Sequence, residues 1–196
     1  MKKLFLLIFV PMVLLLFQNH AIADCPQGWT SESKTFTYEE CEYTVYFCYD
    51  YSPQGILSII IDKILTDTDE ACIDYLGTVA FWSALNDDLI EHIVTKYQFP
   101  PCPLSVWNVQ RESATCYYIE NDPLNNVVWL KSCEESGTCI HYYKVCYNFS
   151  TQQVDIDYYD SDSDGGENCD DEMPDLSNEN WELSWTTDCF LLPCFP

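Results

Sequence analysis

Between Cys41 and Tyr51 the chain alternates. Cys41, Tyr43, Val45, Phe47, Tyr49 and Tyr51 fall on one side of a period of two, and Glu42, Thr44, Tyr46, Cys48 and Asp50 on the other. The pattern predicts a half-buried strand with the first set facing the core. Ninety-eight positions later it recurs without a gap: Cys139, His141, Tyr143, Val145, Tyr147 and Phe149 take the core face of a second strand. Both segments read Cys, six residues, Cys-Tyr, then Asp or Asn, an aromatic, Ser, one residue and Gln. The match runs from Cys41 to Asp62 and from Cys139 to Asp160. Self-similarity at a fixed offset predicts two tandem units.

Around these strands the patterning predicts Lys34–Glu39 as an earlier strand, Ser52-Pro53-Gln54-Gly55 as a turn and Ile56–Leu65 as a returning strand. Ile59-Ile60-Ile61 is apolar on both faces, so the sheet there is covered on both sides. Leu85, Leu89, Ile93 and Tyr97 recur every four residues, beside Ile90 and Val94. That spacing predicts an amphipathic helix over Ser83–Tyr97, with a shorter one over Glu70–Trp82. In the second half Ala114–Glu120, Val127–Cys133, Cys139–Phe149 and Val154–Tyr159 read as strands, and no helical period follows. The expected class is mainly β with one or two helices (α+β), as two small antiparallel β modules. Cys-Pro followed closely by Trp opens each module, at Cys25 and Cys102, with Pro100-Pro101 before the second. The boundaries are therefore 24–101 and 102–196.

Residues 1–23 read as a secretory signal peptide: Lys2-Lys3, an apolar run from Leu4 to Phe17, then Ala21-Ile22-Ala23. The run is too short for a bilayer span and Pro11 interrupts it. No membrane insertion is expected after cleavage, and the protein is placed as secreted, periplasmic or extracellular. All 12 cysteines follow the leader, and no Cys-x-x-Cys occurs, so disulfides are expected in place of zinc. Six bridges stabilise modules whose cores alone would be marginal. Each matched cysteine (Cys41 with Cys139, Cys48 with Cys146, Cys72 with Cys169) is expected to play the same part in its module. The net charge is −24, and −26 once Lys2 and Lys3 are removed. Such a charge disfavours nucleic acid and anionic membrane surfaces.

The stretch Asp160-Ser161-Asp162-Ser163-Asp164-Gly165-Gly166-Glu167-Asn168-Cys169-Asp170-Asp171 carries the densest candidate chemistry. Asp at positions 1, 3 and 5 with Gly at 6 resembles the calcium loop of EF-hand proteins. The resemblance implies Asp160, Asp162 and Asp164 as side-chain ligands, Gly166 through its carbonyl, Asn168 through water, and Asp171 at position 12. It departs from the pattern in having Asp at position 12 and a strand leading in. A solvated acidic turn is the competing reading. For catalysis neither His92 nor His141 has a nucleophile pattern beside it, and paired carboxylates among so many acids mean little. Tyr46, Tyr142, Tyr158 and Tyr159 fall where aromatics line a face.

The Cys-Pro…Trp starts, the Pro-Pro-Cys-Pro joint and the Cys-x6-Cys-Tyr strands resemble a set of secreted cysteine- and tryptophan-rich bacterial proteins of the Chlorobi–Ignavibacteria group. That resemblance implies export and a bacterial source, and no activity. The functional expectation is a non-enzymatic extracellular binding or surface-structural protein, calcium-stabilised, with a protein or glycan partner. The alternative is a secreted hydrolase acting on polysaccharide or peptide.

Overall fold

The computed structural model describes residues 23–52, 55–97, 101–103, 107–134, 136–164, 169–170, 172–192 and 194. The expected signal peptide, apart from Ala23, lies outside them. Strands β1 (Thr30–Tyr38), β2 (Cys41–Tyr51) and β3 (Ile56–Asp67) form an antiparallel meander. Helices α1 (Glu70–Tyr75) and α2 (Val79–Val94) follow it. The second half supplies β4 (Trp107–Ala114), β5 (Cys116–Asp122), β6 (Val127–Ser132), β7 (Thr138–Asn148) and β8 (Gln153–Asp164). Short strands β9 (Trp185–Thr186) and β10 (Phe190–Leu191) both add to β5. The class is mainly β with two helices, as the patterning predicts.

The two halves do not form separate sheets. One edge of β3 carries β2. Its other edge is shared: Ile56–Ile60 pair in parallel with Asn108–Glu112 of β4, and Lys63–Asp67 pair antiparallel with Val127–Lys131 of β6. The ten strands among the described residues therefore belong to one hydrogen-bonded sheet, which branches at β3 into β4-β7-β8 and β6-β5-β10. Thr115, a one-residue corner, sends β4 along one branch and β5 along the other, where the sequence reads a single strand across 114–120.

Within that sheet the two matched segments take like positions. β2 and β7 are each flanked on both sides, by β1 and β3 and by β4 and β8. Each forms a hairpin with the strand that follows, and each hairpin carries a bulge: one at Tyr46/Phe47 against Asp62, the other at Tyr142/Tyr143 against Tyr159. A bulge adds one residue to one strand and so reverses which parity faces the core. In β3 the buried set changes from Leu57, Ile59 and Ile61 to Ile64 and Thr66.

Tyr43, Val45, Phe47, Ile59, Ile61 and Ile64 form the core with Phe81, Leu85, Leu89, Ile90, Ile93 and Val94 of α2. The predicted core faces of β2 and β7 are buried through Tyr49 and Val145, and they fray at Tyr51 and Phe149. Gly77 and Thr78 divide what the sequence reads as one short helix. Leu76 caps α1, and the Thr78 hydroxyl accepts from Phe81 N–H to start α2. Trp82 Nε1 donates to Leu76 O at 2.7 Å across that joint.

All 12 cysteines are paired: Cys25–Cys48, Cys41–Cys72, Cys102–Cys146, Cys116–Cys169, Cys133–Cys189 and Cys139–Cys194. The Cys-Pro cysteines Cys25 and Cys102 bond Cys48 and Cys146, so that matched pair does play the same part. The other two matches, Cys41 with Cys139 and Cys72 with Cys169, fail. Cys72 bonds Cys41, whereas Cys169 bonds Cys116 and Cys139 bonds Cys194. The physical reason is that α1 brings Cys72 back over β2, and no helix follows β8 among the described residues.

Leu89 sits in the middle of the α2 face with no exposure. Leu89→Ala is expected to cost about 2–5 kcal/mol of unfolding free energy. Urea denaturation should show a lowered midpoint with an unchanged slope.

Candidate functional site

Helix α2 covers the inner face of the sheet, and the outer face supplies the most distinctive surface. On it Tyr46 of β2, Lys63 of β3, Trp129 and Lys131 of β6 and Glu120 of β5 lie in adjacent registers, all partly exposed. Lys63 and Lys131 face each other directly across the β3–β6 pair. A like-charged cross-strand pair is normally destabilising. Here the aromatic rings and two carboxylates offset it. Lys63 Nζ lies 5.4 Å from the Tyr46 ring centre and 5.9 Å from that of Trp129, and Lys131 Nζ is 5.5 Å from Trp129. Tyr46 and Trp129 are 5.7 Å apart, Lys131 pairs with Glu120 at 2.9 Å, and Lys63 pairs with Asp62 at 3.5 Å. This patch uses two of the six basic residues that follow residue 23.

The far branch of the same face ends in β8, which among the described residues pairs only with β7. Asp155 and Asp157 lie opposite Cys146 and Lys144, while Asp160, Asp162 and Asp164 lie opposite Tyr142, Ile140 and Thr138. Without the bulge at Tyr159 these two sets would point to opposite faces. With it, five aspartates line one face of an edge strand. Inward charge and edge acids are a common device against edge-to-edge pairing. Tyr159 packs against Tyr142 at 6.1 Å, with Lys144 Nζ 4.9 Å from its ring. Tyr46, Tyr142 and Tyr159 thus share the outer face as the sequence suggests. Tyr158 turns the other way, against Tyr143 and His141.

Three of the residues expected to hold calcium, Asp160, Asp162 and Asp164, belong to β8. Alternate residues of a strand lie roughly 6.6 Å apart along it, so here the three form a row, whereas an EF-hand loop gathers them. Asp164 accepts from Thr138 N–H, and Asp160 accepts from Ser161 N–H at 2.9 Å. Gly166, Asn168 and Asp171 lie outside the described residues. Among those described, the groups of three close metal-binding atoms are Cys139–His141–Cys194 and Cys102–Cys146–Asp155. Each is built on a disulfide.

An open groove of about 530 Å³ runs between α2 and the start of β8, lined by Asp87, Glu91, Gln153, Val154, Asp155 and Ile156. Burial pushes the Asp87 carboxyl above the usual carboxylate range, and Glu91 one turn away adds to the shift.

The histidines are held in structure. His92 Nε2 meets Glu32 at 2.9 Å, in a triad completed by Lys96. His141 is fully buried on β7. Its Nδ1 faces Arg111 of β4, a neighbouring strand position, and Arg111 also donates to Ser113 at 2.5 Å. Trp82 of α2 packs on the guanidinium at 5.8 Å. Arg111, Lys63, Lys131, Trp129 and Asp87 are not signalled by any sequence motif. Their roles come from register and packing.

Comparison of the chain with protein-family models, with curated proteins and with solved structures returns no match.

Burial and the neighbouring Arg111 charge hold the His141 imidazole near a pKa of about 3, against an ordinary 6.5. Between those values the unfolded chain takes up a proton that the folded one refuses. The stability from His141 is therefore complete above about pH 6.5 and is lost as pH falls toward 3. Urea midpoints measured across this window should decline in wild type and decline less in His141→Gln.

Proposed function

We propose that the chain is a secreted binding protein whose outer sheet face takes an extracellular glycan. Six disulfides and a mainly β fold fit an extracellular protein. Among the described residues no helix is long and apolar enough to cross a membrane. The observation that carries the reading is the Lys63–Lys131 pair laid over Tyr46 and Trp129 on a partly exposed face. Part-exposed rings offer the apolar side of a sugar a stacking platform, and the two ammonium groups offer donors to its hydroxyls. The charge of −26 repels polyanions at long range, so a neutral glycan suits the surface better than an acidic one. Calcium belongs to the same reading as a counterion to the β8 aspartates, where it relieves repulsion along the edge.

Asp87 favours a second reading. A carboxyl raised by burial beside Glu91 in a groove is the arrangement a polysaccharide hydrolase needs for its acid.

One set of measurements separates the two. Calorimetry with neutral cello- and chito-oligosaccharides, in millimolar calcium and in chelator, should show binding that Trp129→Ala weakens about fivefold or more. The sugars should be recovered intact. Cleavage of the oligosaccharides that Asp87→Asn abolishes would establish the hydrolase. Binding of a protein with no glycan heat would move the ligand class. If chelator leaves both melting and binding unchanged, calcium has no part.

A further inference from the structure

We propose that the Cys139–Cys194 disulfide is a thiol-modification site, at which a small-molecule thiol attacks Cys194 and Cys139 leaves as a stabilised thiolate. It is the bond that His141 addresses. His141 Nε2 lies 3.6 Å from Cys139 Sγ and 3.4 Å from Cys194 Sγ. The tautomer follows from the other side of the ring. Arg111 has only donors to give, so His141 Nδ1 accepts from it and a neutral imidazole must carry its proton on Nε2. Burial keeps that imidazole neutral. The Nε2–H is thereby aimed at both sulfurs, and a guanidinium stands directly behind the ring.

Exchange needs an accessible sulfur to attack and a good leaving group. The two sulfurs divide those roles. Cys194 is partly exposed near the chain end, whereas Cys139 is 2% exposed inside the sheet. A thiolate RS⁻ bonds to Cys194 Sγ, the Sγ–Sγ bond breaks, and its electron pair leaves on Cys139 Sγ. There it receives the Nε2–H hydrogen bond and the field of Arg111. Hydrogen bonding and positive charge lower a thiol's pKa, and a lower leaving-group pKa speeds departure. No redox equivalent is consumed, because the mixed disulfide at Cys194 replaces the internal one. The fold survives the step. Cys133–Cys189 and the β10–β5 pairing hold the chain five and three residues before Cys194.

Exposure alone does not single out this bond, since Cys25, Cys102, Cys133, Cys169 and Cys189 are also partly exposed. The contrast is Cys102–Cys146. Asp155 Oδ2 lies 3.7 Å from Cys102 Sγ, and a carboxylate there opposes thiolate formation.

The test treats the folded protein with limiting 2-mercaptoethanol, a neutral thiol that the acidic surface does not repel. Acid quenching, maleimide labelling and peptide mapping then follow each bond. The expected product carries the mercaptoethanol adduct on Cys194 and maleimide on Cys139. It should form about tenfold or more faster than any product at Cys102–Cys146. His141→Gln should slow it, and Asp155→Asn should speed opening at Cys102–Cys146 while leaving Cys139–Cys194 alone. Another disulfide opening first in wild type would overturn the proposal, as would the adduct appearing on Cys139. So would a folded His141→Gln protein that reacts at the wild-type rate. Should that variant fail to fold, the wild-type map and the Asp155→Asn comparison still decide.

Discussion

Everything in this molecule hangs on the two hydrogen-bonding edges of β3. A strand interior to a sheet spends each edge on one neighbour. β3 gives one edge to β2 and divides the other between β4 and β6. That division lets a chain with a long internal repeat fold as one branched sheet, with the repeated hairpins on two arms. It also explains the Ile59-Ile60-Ile61 run. Ile59 and Ile61 meet the core under α2, while Ile60 lies on the outer face between Cys48 and Glu112. The parallel β3–β4 pairing needs a long crossover, and α1 and α2 are that crossover, packed on the sheet they connect.

The two hairpins were legible because their patterns are local. Period-two alternation placed the core faces of β2 and β7, and a four-residue recurrence placed α2, displaced by four residues at its start. The branching was not legible, because nothing local marks it. β4 reads Trp-Asn-Val-Gln-Arg-Glu-Ser-Ala, with too little apolar alternation to announce a strand. Its inward positions are Val109, Arg111 and Ser113, and all three are buried. A polar buried strand is intelligible only beside its partner, where Arg111 meets His141 and Ser113. Likewise β8 continues through Asp160, Ser161, Asp162, Ser163 and Asp164, residues of low strand propensity. Pairing with β7 overrides that preference, and the stretch that reads as a calcium loop is extended through Asp164.

The candidate site was legible in composition and not in place. Abundant tyrosines and acids pointed to an aromatic, charged surface. Which of them share a face depends on two bulges, at Asp62 and at Tyr159, that no residue preference marks. The bulges align Asp155 and Asp157 with Asp160, Asp162 and Asp164. Lys63 and Lys131 lie far apart in sequence and become neighbours only through the β3–β6 register. The same registers put Arg111 behind His141 and His141 against the Cys139–Cys194 bond. Both the outward patch and the inward disulfide site are therefore consequences of the branch at β3.

Native-state hydrogen exchange read by mass spectrometry tests that branch most directly. Under disulfide-intact conditions, the amides that join β3 to β4 and to β6 should exchange only through the global opening. They should share one free energy with the β2–β3 hairpin and with α2. Two distinct opening free energies, one for residues before 101 and one for residues after it, would contradict a single sheet and restore two independent modules.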